Sequence, residues 1–148
     1  MKNLFLKLTF LFVAAFALVS CDKEEVINVD GLPSASNTFL NEYFAGVKVL
    51  STIKETEFVD KEYKVILENG VEISFDKKGN WTEVEAKLET QALPNTAFIL
   101  PAITDYIAAN YPDAGINGIE KNKNGFDVEL TNGFDLEFNA NGGFVRFD

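Results

Sequence analysis

Two segments of this sequence, 63 residues apart, carry the same pattern of turns and apolar positions. Residues 63–85 (YKVILENGVEISFDKKGNWTEVE) align with residues 126–148 (FDVELTNGFDLEFNANGGFVRFD), and six of the 23 positions are identical. The identical pairs are Val65/Val128, Leu67/Leu130, Asn69/Asn132, Gly70/Gly133, Phe75/Phe138 and Gly79/Gly142. Because chance similarity would not preserve the turns and the apolar face together, the pattern predicts a tandem duplication.

Each segment reads as consecutive β-strands. In the first, apolar residues alternate from Tyr63 to Leu67 and again from Val71 to Phe75, and Asn69-Gly70 stands between the two runs. Alternation predicts half-buried strands, and Asn-Gly predicts a tight hairpin turn of the primed type. With an opening strand at 47–57 or 116–121 and a closing strand after a second turn, each copy supplies about four antiparallel strands.

A helix is predicted before each set of strands. Pro101 suits the first turn of a helix, Ile103, Tyr106 and Ile107 follow at helical spacing, and Pro112 ends the run. In the first copy Ser34 or Ser36 can cap a helix that carries Phe39, Leu40, Tyr43 and Phe44 and closes at Gly46. A further short helix is predicted around residues 96–100. These apolar stripes are typical of core positions that cover a sheet.

The amino terminus has the pattern of an export signal. Lys2 and Lys7 precede an apolar run at 8–19, which is too short for a confident transmembrane helix. Leu18-Val19-Ser20-Cys21 resembles a bacterial lipobox, in which the cysteine is acylated, and Cys21 is the only cysteine of the chain. The alternative is an ordinary cleaved signal with a coincidental cysteine.

These features predict four segments. Residues 1–20 are a lipoprotein signal peptide, and 21–33 are the lipidated Cys21 with a flexible linker. Residues 34–90 and 91–148 are the two repeats of one compact domain. The charged run at 22–25 is either an export tag for the cell surface or a solvated tether. The predicted location is the cell envelope, at the outer membrane and facing either the periplasm or the surface.

The second copy carries a family resemblance, which the first copy shares more loosely. The segments 100–112, 119–121, 125–130, 132–133 and 136–138 together resemble the PepSY-like, beta-lactamase-inhibitor-like family of exported bacterial proteins. The resemblance covers about residues 32–148. It implies an α+β fold in which helices pack on one face of an eight-stranded antiparallel sheet built from two copies. It implies no known activity, because the family name records a similarity of fold.

Charge and composition exclude several classes of function. Without its signal the chain has 11 basic and 23 acidic residues, a net charge of −12, so nucleic acid and anionic membrane surfaces are poor partners. The chain has no histidine, which excludes a histidine triad, a histidine base and a histidine-ligated metal. No cofactor is predicted, and the protein is predicted not to be an enzyme. Carboxylate pairs such as Glu72 with Glu137, or Asp76 with Asp135, leave a glycosidase-like pair open by composition, but the polar face of a half-buried sheet explains them better.

One segment has the spacing of a calcium loop. Glu137, Asn139, Asn141 and Gly142 occupy its first, third, fifth and sixth positions, and the twelfth is Asp148. The first position is Glu instead of Asp, the twelfth is Asp instead of Glu, and the first copy has Lys78 where an oxygen ligand is needed. A hairpin turn explains the Asn and Gly residues more economically, so no metal site is predicted.

The sheet face opposite the helices is predicted to bind a protein partner. If Val145 and Phe147 point to the core, Phe144 and Arg146 point outward, and by the repeat so do Trp81 and Glu83. The alternatives are that Trp81 joins the core at a bulge near Gly79 and that Arg146 pairs with an acid. The predicted partner-binding residues are Lys64, Ile66, Glu72, Trp81, Glu83, Glu129, Glu137, Phe144 and Arg146.

These expectations combine into one functional hypothesis. The chain is predicted to be a non-catalytic, lipid-anchored envelope or surface protein that binds a protein partner through its open sheet face, as an inhibitor or a sensor module. The alternative is a periplasmic lipoprotein that binds a small ligand or a cation.

Overall fold

The computed structural model describes residues 23–57 and 60–147. They form nine strands, two α-helices and one turn of 3-10 helix at Val29–Gly31. The strands are β1 (Lys23–Val26), β2 (Val49–Glu57), β3 (Asp60–Leu67), β4 (Val71–Phe75), β5 (Trp81–Ala86), β6 (Ile116–Lys121), β7 (Gly125–Leu130), β8 (Asp135–Asn139) and β9 (Phe144–Phe147). The helices are α1 (Ser34–Tyr43) and α2 (Pro101–Asn110).

All nine strands belong to one antiparallel sheet, and their order in the sheet is their order in the chain. The predicted α+β fold of two four-stranded copies under helices, with eight strands in all, is therefore wrong. The described residues are mostly one nine-stranded sheet with two helices of ten residues each. The additional strand is β1, which pairs with β2 from Lys23↔Thr56 to Val26↔Ile53. It lies where a flexible linker was predicted for residues 21–33.

The core lies between the helices and one face of the sheet. Alternate residues of the central strands are almost fully buried, such as Val65 and Ile73 in the first half and Val128 in the second. The ring of Phe39 on α1 meets Phe75 on β4 edge to face at 5.7 Å, and Tyr106 on α2 meets Phe138 on β8 in the same way at 5.5 Å. The period of two in the strands therefore supplies one apolar face that the helices cover.

The two Asn-Gly turns form, but their type differs from the predicted one. Gly133 N–H donates to the Leu130 carbonyl at 2.9 Å, and Leu130 N–H donates to the Phe134 carbonyl at 2.9 Å. The glycine, with φ of +81°, therefore follows the two central residues of the turn. This is a three-residue loop with a glycine bulge, not a two-residue primed turn.

The tips of two hairpins pack against the first turns of the helices. Gly79, between β4 and β5, has φ of +88°, and its carbonyl accepts a hydrogen bond from the buried Ser36 hydroxyl at 3.3 Å. A Cβ on Gly79 would lie 2.7 Å from Pro33 Cβ, and one on Gly142 would lie 2.9 Å from Ala102 Cβ. Glycine is therefore required at both tips by close approach as well as by backbone angle.

The segment between β5 and α2 is held by the buried side-chain amide of Asn117 on β6. Asn117 is 3% exposed, and its Nδ2 lies 2.8 Å from the Leu88 carbonyl and 2.7 Å from the Gln91 carbonyl. Residues 96–100 form a turn instead of the predicted short helix. Neither described helix has the length and apolar character needed to cross a membrane.

Candidate functional site

The face of the sheet opposite the helices, here called the open face, carries two rows of side chains that run across the strands from β4 to β8. Residues opposite each other on neighbouring strands share a face, so the pairing register gives each row directly. The first row is Ser74, Glu83, Glu120, Asp127 and Glu137. The second row is Glu72, Glu85, Gly118, Glu129 and Asp135. Eight of these ten residues are acidic, and together they are called the acidic rows.

A shallow groove of about 330 Å³ lies in the middle of these rows. Its floor is at Gly118, which has no side chain between Glu85 on β5 and Glu129 on β7. A Cβ at Gly118 would lie 3.2 Å from Glu85 Cβ, so any larger residue would crowd that glutamate. The missing side chain therefore leaves an opening with carboxylates on both sides.

The electrostatic effect is largest at Glu85. Burial, followed by the negative charges of Glu83 and Glu72, raises the pKa of Glu85 to about 7, although Lys64 opposes the shift. Burial and the charges of Glu83 and Asp127 also raise the pKa of Glu120. Both shifts show that the groove disfavours additional negative charge, and a cation placed there would favour the ionised forms.

Basic side chains stand at the borders of the rows. Arg146 Nε lies 2.6 Å from Glu137 Oε2, and Lys87 Nζ lies 3.6 Å from Glu72 Oε1. Lys64 lies opposite Ser74 at the end of the first row. The ion pair of Arg146 was one of the alternatives left open by the sequence. These basic side chains lie at the two ends of the rows, and the groove at Gly118 lies between them.

Seven of the nine predicted partner-binding residues lie on the open face. They are Lys64, Ile66, Glu72, Glu83, Glu129, Glu137 and Arg146. The pairing of neighbouring strands brings Glu72, Glu83 and Glu129 to the groove or its border. Cys21, the predicted lipidation site, lies outside the described residues.

Trp81 and Phe144 do not lie on the open face, so their predicted placement is wrong. Trp81 pairs with the buried Phe75 and its ring lies 5.3 Å from that of Phe98. Phe144 pairs with the buried Phe138 and stacks on Tyr106 at 4.7 Å, with 9° between the ring planes. Both belong to the helix side.

The reason is a register shift in each closing strand. Ser74 pairs with Glu83 but Phe75 pairs with Trp81, which leaves Thr82 as an additional residue. Glu137 pairs with Arg146 but Phe138 pairs with Phe144, which leaves Val145 as an additional residue, 52% exposed. One additional residue in a strand reverses the alternation of its side chains. Trp81 in β5 and Phe144 in β9 therefore face the core.

The carboxylate pairs considered from the sequence are not brought together. Glu72 lies on β4 and Glu137 on β8, four strands apart, which is roughly 19 Å at ordinary strand spacing. Asp76 lies in the turn after β4, whereas Asp135 lies on β8. A glycosidase-like pair at about 5–10 Å is not formed by either combination.

The described part of the segment with calcium-loop spacing, residues 137–147, runs through β8, the following hairpin turn and β9, and Asp148 lies outside the described residues. Asn139 Oδ1 accepts hydrogen bonds from the backbone N–H groups of Asn141 at 2.9 Å and Gly143 at 3.0 Å. In the corresponding turn after β4, Asp76 Oδ1 accepts N–H bonds from Lys78 and Asn80. These oxygens are used by the turns themselves. In the described part of the chain, no three acidic or cysteine side chains are grouped as metal ligands.

Comparison with known proteins places this sheet in a family. The family described as "Putative beta-lactamase-inhibitor-like, PepSY-like" matches residues 61–146, more than half of the chain. The chain belongs to this PepSY-like family. No curated protein matches it.

Three solved structures from two Bacteroides species are similar to this chain. A "putative calcium-regulated periplasmic protein" of Bacteroides thetaiotaomicron is 35% identical, with a TM-score of 0.77, and the match covers 84% of this chain and 96% of that chain. A "putative periplasmic protein" of Bacteroides vulgatus is 38% identical, with a TM-score of 0.77, and the match covers 86% of this chain and 98% of that chain. A second B. vulgatus protein, a "putative periplasmic protein of unknown function", is 31% identical, with a TM-score of 0.77 and coverage of 85% and 99%. These similarities support export of this PepSY-like protein.

Sequence reasoning missed three residues that shape the groove of this PepSY-like protein, namely Glu85, Gly118 and Glu120. Glu85 lies two residues after Glu83 in a strand, so alternation alone places it on the same face. Gly118 and Glu120 required the pairing of β5 with β6. That contact joins strands separated by α2, and no local turn pattern fixes its register.

Proposed function

We propose that this PepSY-like protein is a non-catalytic binding protein of the cell envelope. It is attached to the membrane by lipid on Cys21, and it binds a positively charged segment of a protein partner in the groove of the acidic rows. The observation that carries the proposal is the raised pKa of Glu85 beside the gap at Gly118. Repulsion among the carboxylates is relieved when a cationic side chain enters the groove, and this relief favours binding.

A defined probe tests the location of binding. Fluorescein-labelled oligolysine is titrated with the detergent-solubilised full chain at constant ionic strength, and anisotropy is recorded. The variant Glu85→Gln/Glu120→Gln should weaken binding several-fold. Its matched control is Asp105→Asn/Asp113→Asn, which removes the same charge at exposed positions on α2 and in the loop after it. Equal affinity of the two variants would reject the groove, because only net charge would then matter.

The anchor is tested separately. Metabolic labelling with a radioactive fatty acid should mark the wild-type chain in an acylating bacterial host, and Cys21→Ser should abolish the label. Label that persists in the variant, or is missing from the wild type, would reject acylation at Cys21. Neither result bears on the oligolysine assay, so the two parts of the proposal are decided independently.

A second candidate function is regulation by calcium. The B. thetaiotaomicron relative is described as calcium-regulated. The acidic rows have carboxylate oxygens, the ligand type that calcium prefers, although no three of the described acidic side chains are grouped as metal ligands. A ligand that binds the native state alone raises the melting temperature. Millimolar calcium should therefore raise the Tm of the wild type and have less effect on Glu85→Gln/Glu120→Gln. An unchanged Tm at saturating calcium would remove this candidate.

A further inference from the structure

Two hairpins of the sheet, β4–β5 and β8–β9, have the same pairing register but different neighbours. Ile73 pairs with Val84 in the first, and Leu136 pairs with Phe147 in the second. Both closing strands also contain the one-residue bulge described above. β5 has β6 on its other side, whereas β9 is the last strand of the described sheet. The β9 edge is therefore the counterpart of a strand edge that is covered within the same chain.

Coverage by β6 buries the apolar residue of the β5 edge. Val84 pairs with Ile119 on β6, and 0% of its surface is exposed. Phe147, at the equivalent position of β9, is 59% exposed. Three registered pairs, from Glu83 to Glu85, join β5 to β6 in spite of the bulge in β5. A strand placed against β9 in the same way would remove a large apolar side chain from water.

Two further aromatic residues border Phe147 on the helix side of the sheet. The ring centroid of Phe147 lies 6.4 Å from those of Tyr111 and Phe134, and the latter two are 5.8 Å apart. Phe134 is 50% exposed and Tyr111 is partly exposed. Tyr111, Phe134 and Phe147 are here called the edge aromatic cluster. Because aromatic side chains dominate the energy of protein interfaces, such a cluster beside an open strand indicates a protein-binding edge.

The two edge strands of the sheet differ in charge. Three of the four residues of β1 are charged, namely Lys23, Glu24 and Glu25. Arg146 is the one charged residue of β9 as described, and its Nε lies 2.6 Å from Glu137 Oε2. Charges on an edge strand oppose pairing with a further strand, and an apolar edge permits it. Two β9 strands therefore meet without an acidic residue at their described positions, although acidic residues outnumber basic ones 23 to 13 in the chain.

A second molecule of this chain fits the β9 edge by symmetry. When two β9 strands pair antiparallel about a two-fold axis at Phe147, the two Phe147 side chains stand opposite each other on one face of the sheet. Both edge aromatic clusters then meet on the helix side of a continuous sheet. Pairing of β9 with β1 of another molecule would instead place the cluster beside a charged strand, and it would build an open chain of molecules.

We infer that β9 is a dimerisation edge, at which a second molecule pairs antiparallel and the two edge aromatic clusters pack together. The inference goes beyond the proposed function and depends neither on acylation of Cys21 nor on the groove. Both open faces lie on the same side of this dimer. Seven strand spacings, or roughly 34 Å, separate the two Gly118 positions. A cationic segment that spans this distance would reach both grooves and gain affinity from the second contact.

The oligomeric state of the detergent-solubilised full chain tests the inference. Sedimentation velocity in density-matched detergent should show a monomer in dilute protein and a dimer as the concentration rises to the submillimolar range. Phe134→Ser/Phe147→Ser should weaken dimerisation by about tenfold or more. Its matched control, Val26→Ser/Leu50→Ser, replaces two exposed apolar residues of β1 and β2 and should dimerise as the wild type does. Circular dichroism checks that both variants are folded.

Disulfide crosslinking identifies the edge that pairs. In a Cys21→Ser background, an introduced cysteine is the only thiol of the chain. Phe147→Cys should form a disulfide-linked dimer on mild oxidation, because residues directly opposite each other in an antiparallel pair lie within disulfide distance. Val26→Cys, at an exposed position of β1, should remain monomeric.

Several results would overturn the inference. They are a wild type that stays monomeric at every concentration, equal loss of the dimer in both double variants, and equal crosslinking at residues 26 and 147. A mixed disulfide between the two single-cysteine variants would show head-to-tail pairing of β1 with β9 and would also overturn it. Oligolysine binding and fatty-acid labelling are measured on the same chains, so failure of the proposed function is distinguished from failure of the dimer.

Discussion

Glu85 and Gly118 lie directly opposite each other on β5 and β6, where partial burial and then the negative charges of Glu83 and Glu72 raise the pKa of the Glu85 carboxyl to about 7. The folded protein therefore keeps a proton on Glu85 up to a pH of about 7, whereas the unfolded chain releases it near the ordinary value of 4.5. In that pH window the folded state binds more protons than the unfolded state, so the free energy of unfolding falls as pH rises.

The first prediction concerns this loss of stability. Glu85→Gln should abolish this fall and raise the free energy of unfolding at pH 8 by about 1–2 kcal/mol. This is less than the full pKa shift would give, because solvent reaches the partly exposed side chain. Urea titrations at pH 4 and pH 8 measure the difference. Wild type and variant should differ little at pH 4, where the glutamate is protonated in both states. An equal difference at both pH values would contradict the mechanism.

Gly79→Ala should be much more harmful than Gly133→Ala. Both glycines have positive φ, +88° and +81°, so alanine at either position should lower the free energy of unfolding by about 1 kcal/mol through the left-handed backbone alone. A Cβ at residue 79 also meets Pro33 and Ser36, whereas at residue 133 it has no described atom within 4 Å. We expect Gly79→Ala to lose roughly 1–3 kcal/mol more of the free energy of unfolding, because its new methyl group overpacks this contact. Thermal unfolding of the two variants side by side measures this, and equal losses would mean that the hairpin does not press on α1.

Thr52→Val should stabilise the protein. Thr52 is 2% exposed, and its hydroxyl oxygen has no hydrogen-bond partner among the described residues. Replacing a desolvated hydroxyl with a methyl group of similar size should raise the free energy of unfolding by about 1 kcal/mol. Thr56→Val, on the same face of β2 but partly exposed, is the control and should change stability little. A destabilised Thr52→Val would show that the hydroxyl has a partner after all.

Phe144→Ala should reduce stability and leave oligolysine binding unchanged. Its ring stacks on Tyr106 and meets Phe138, so its loss should cost about 1–3 kcal/mol. Phe147→Ala, in the same strand but 59% exposed, should cost less than about 1 kcal/mol. Denaturant titration gives the stabilities, and anisotropy at a denaturant-free, fully folded condition gives the affinities. A binding defect in folded Phe144→Ala would contradict this prediction and indicate that the ring contributes to the binding surface.

Local patterns predicted the strands and helices well where burial and turn chemistry agree. Pro101 does begin α2, and the runs at Tyr63–Leu67 and Val71–Phe75 do form neighbouring strands. The sequence failed for β1, because four exposed residues with three charges have no apolar alternation. Pairing with β2 makes that segment a strand, and such pairing is a long-range property that composition does not reveal.

For the candidate site, prediction from the sequence was limited by the pairing register of the strands. Alternation correctly placed Glu72, Glu83 and Glu129 on the open face, and it misplaced Trp81 because one additional residue, Thr82, reverses the order of faces. The groove itself depends on Gly118, whose position between Glu85 and Glu129 follows from the packing of β5 against β6 across the α2 connection. No residue-by-residue periodicity contains that information.

The strict chain order of the strands has a consequence for how the protein reaches its native state. Each strand pairs with the strand before it, and six of the eight pairings join strands that are not separated by a helix. Folding by short loop closures is fast, because little chain entropy is lost before each new pairing forms. A chain that emerges from an export channel amino terminus first therefore finds every partner strand already in place, and assembly proceeds in the direction of translocation.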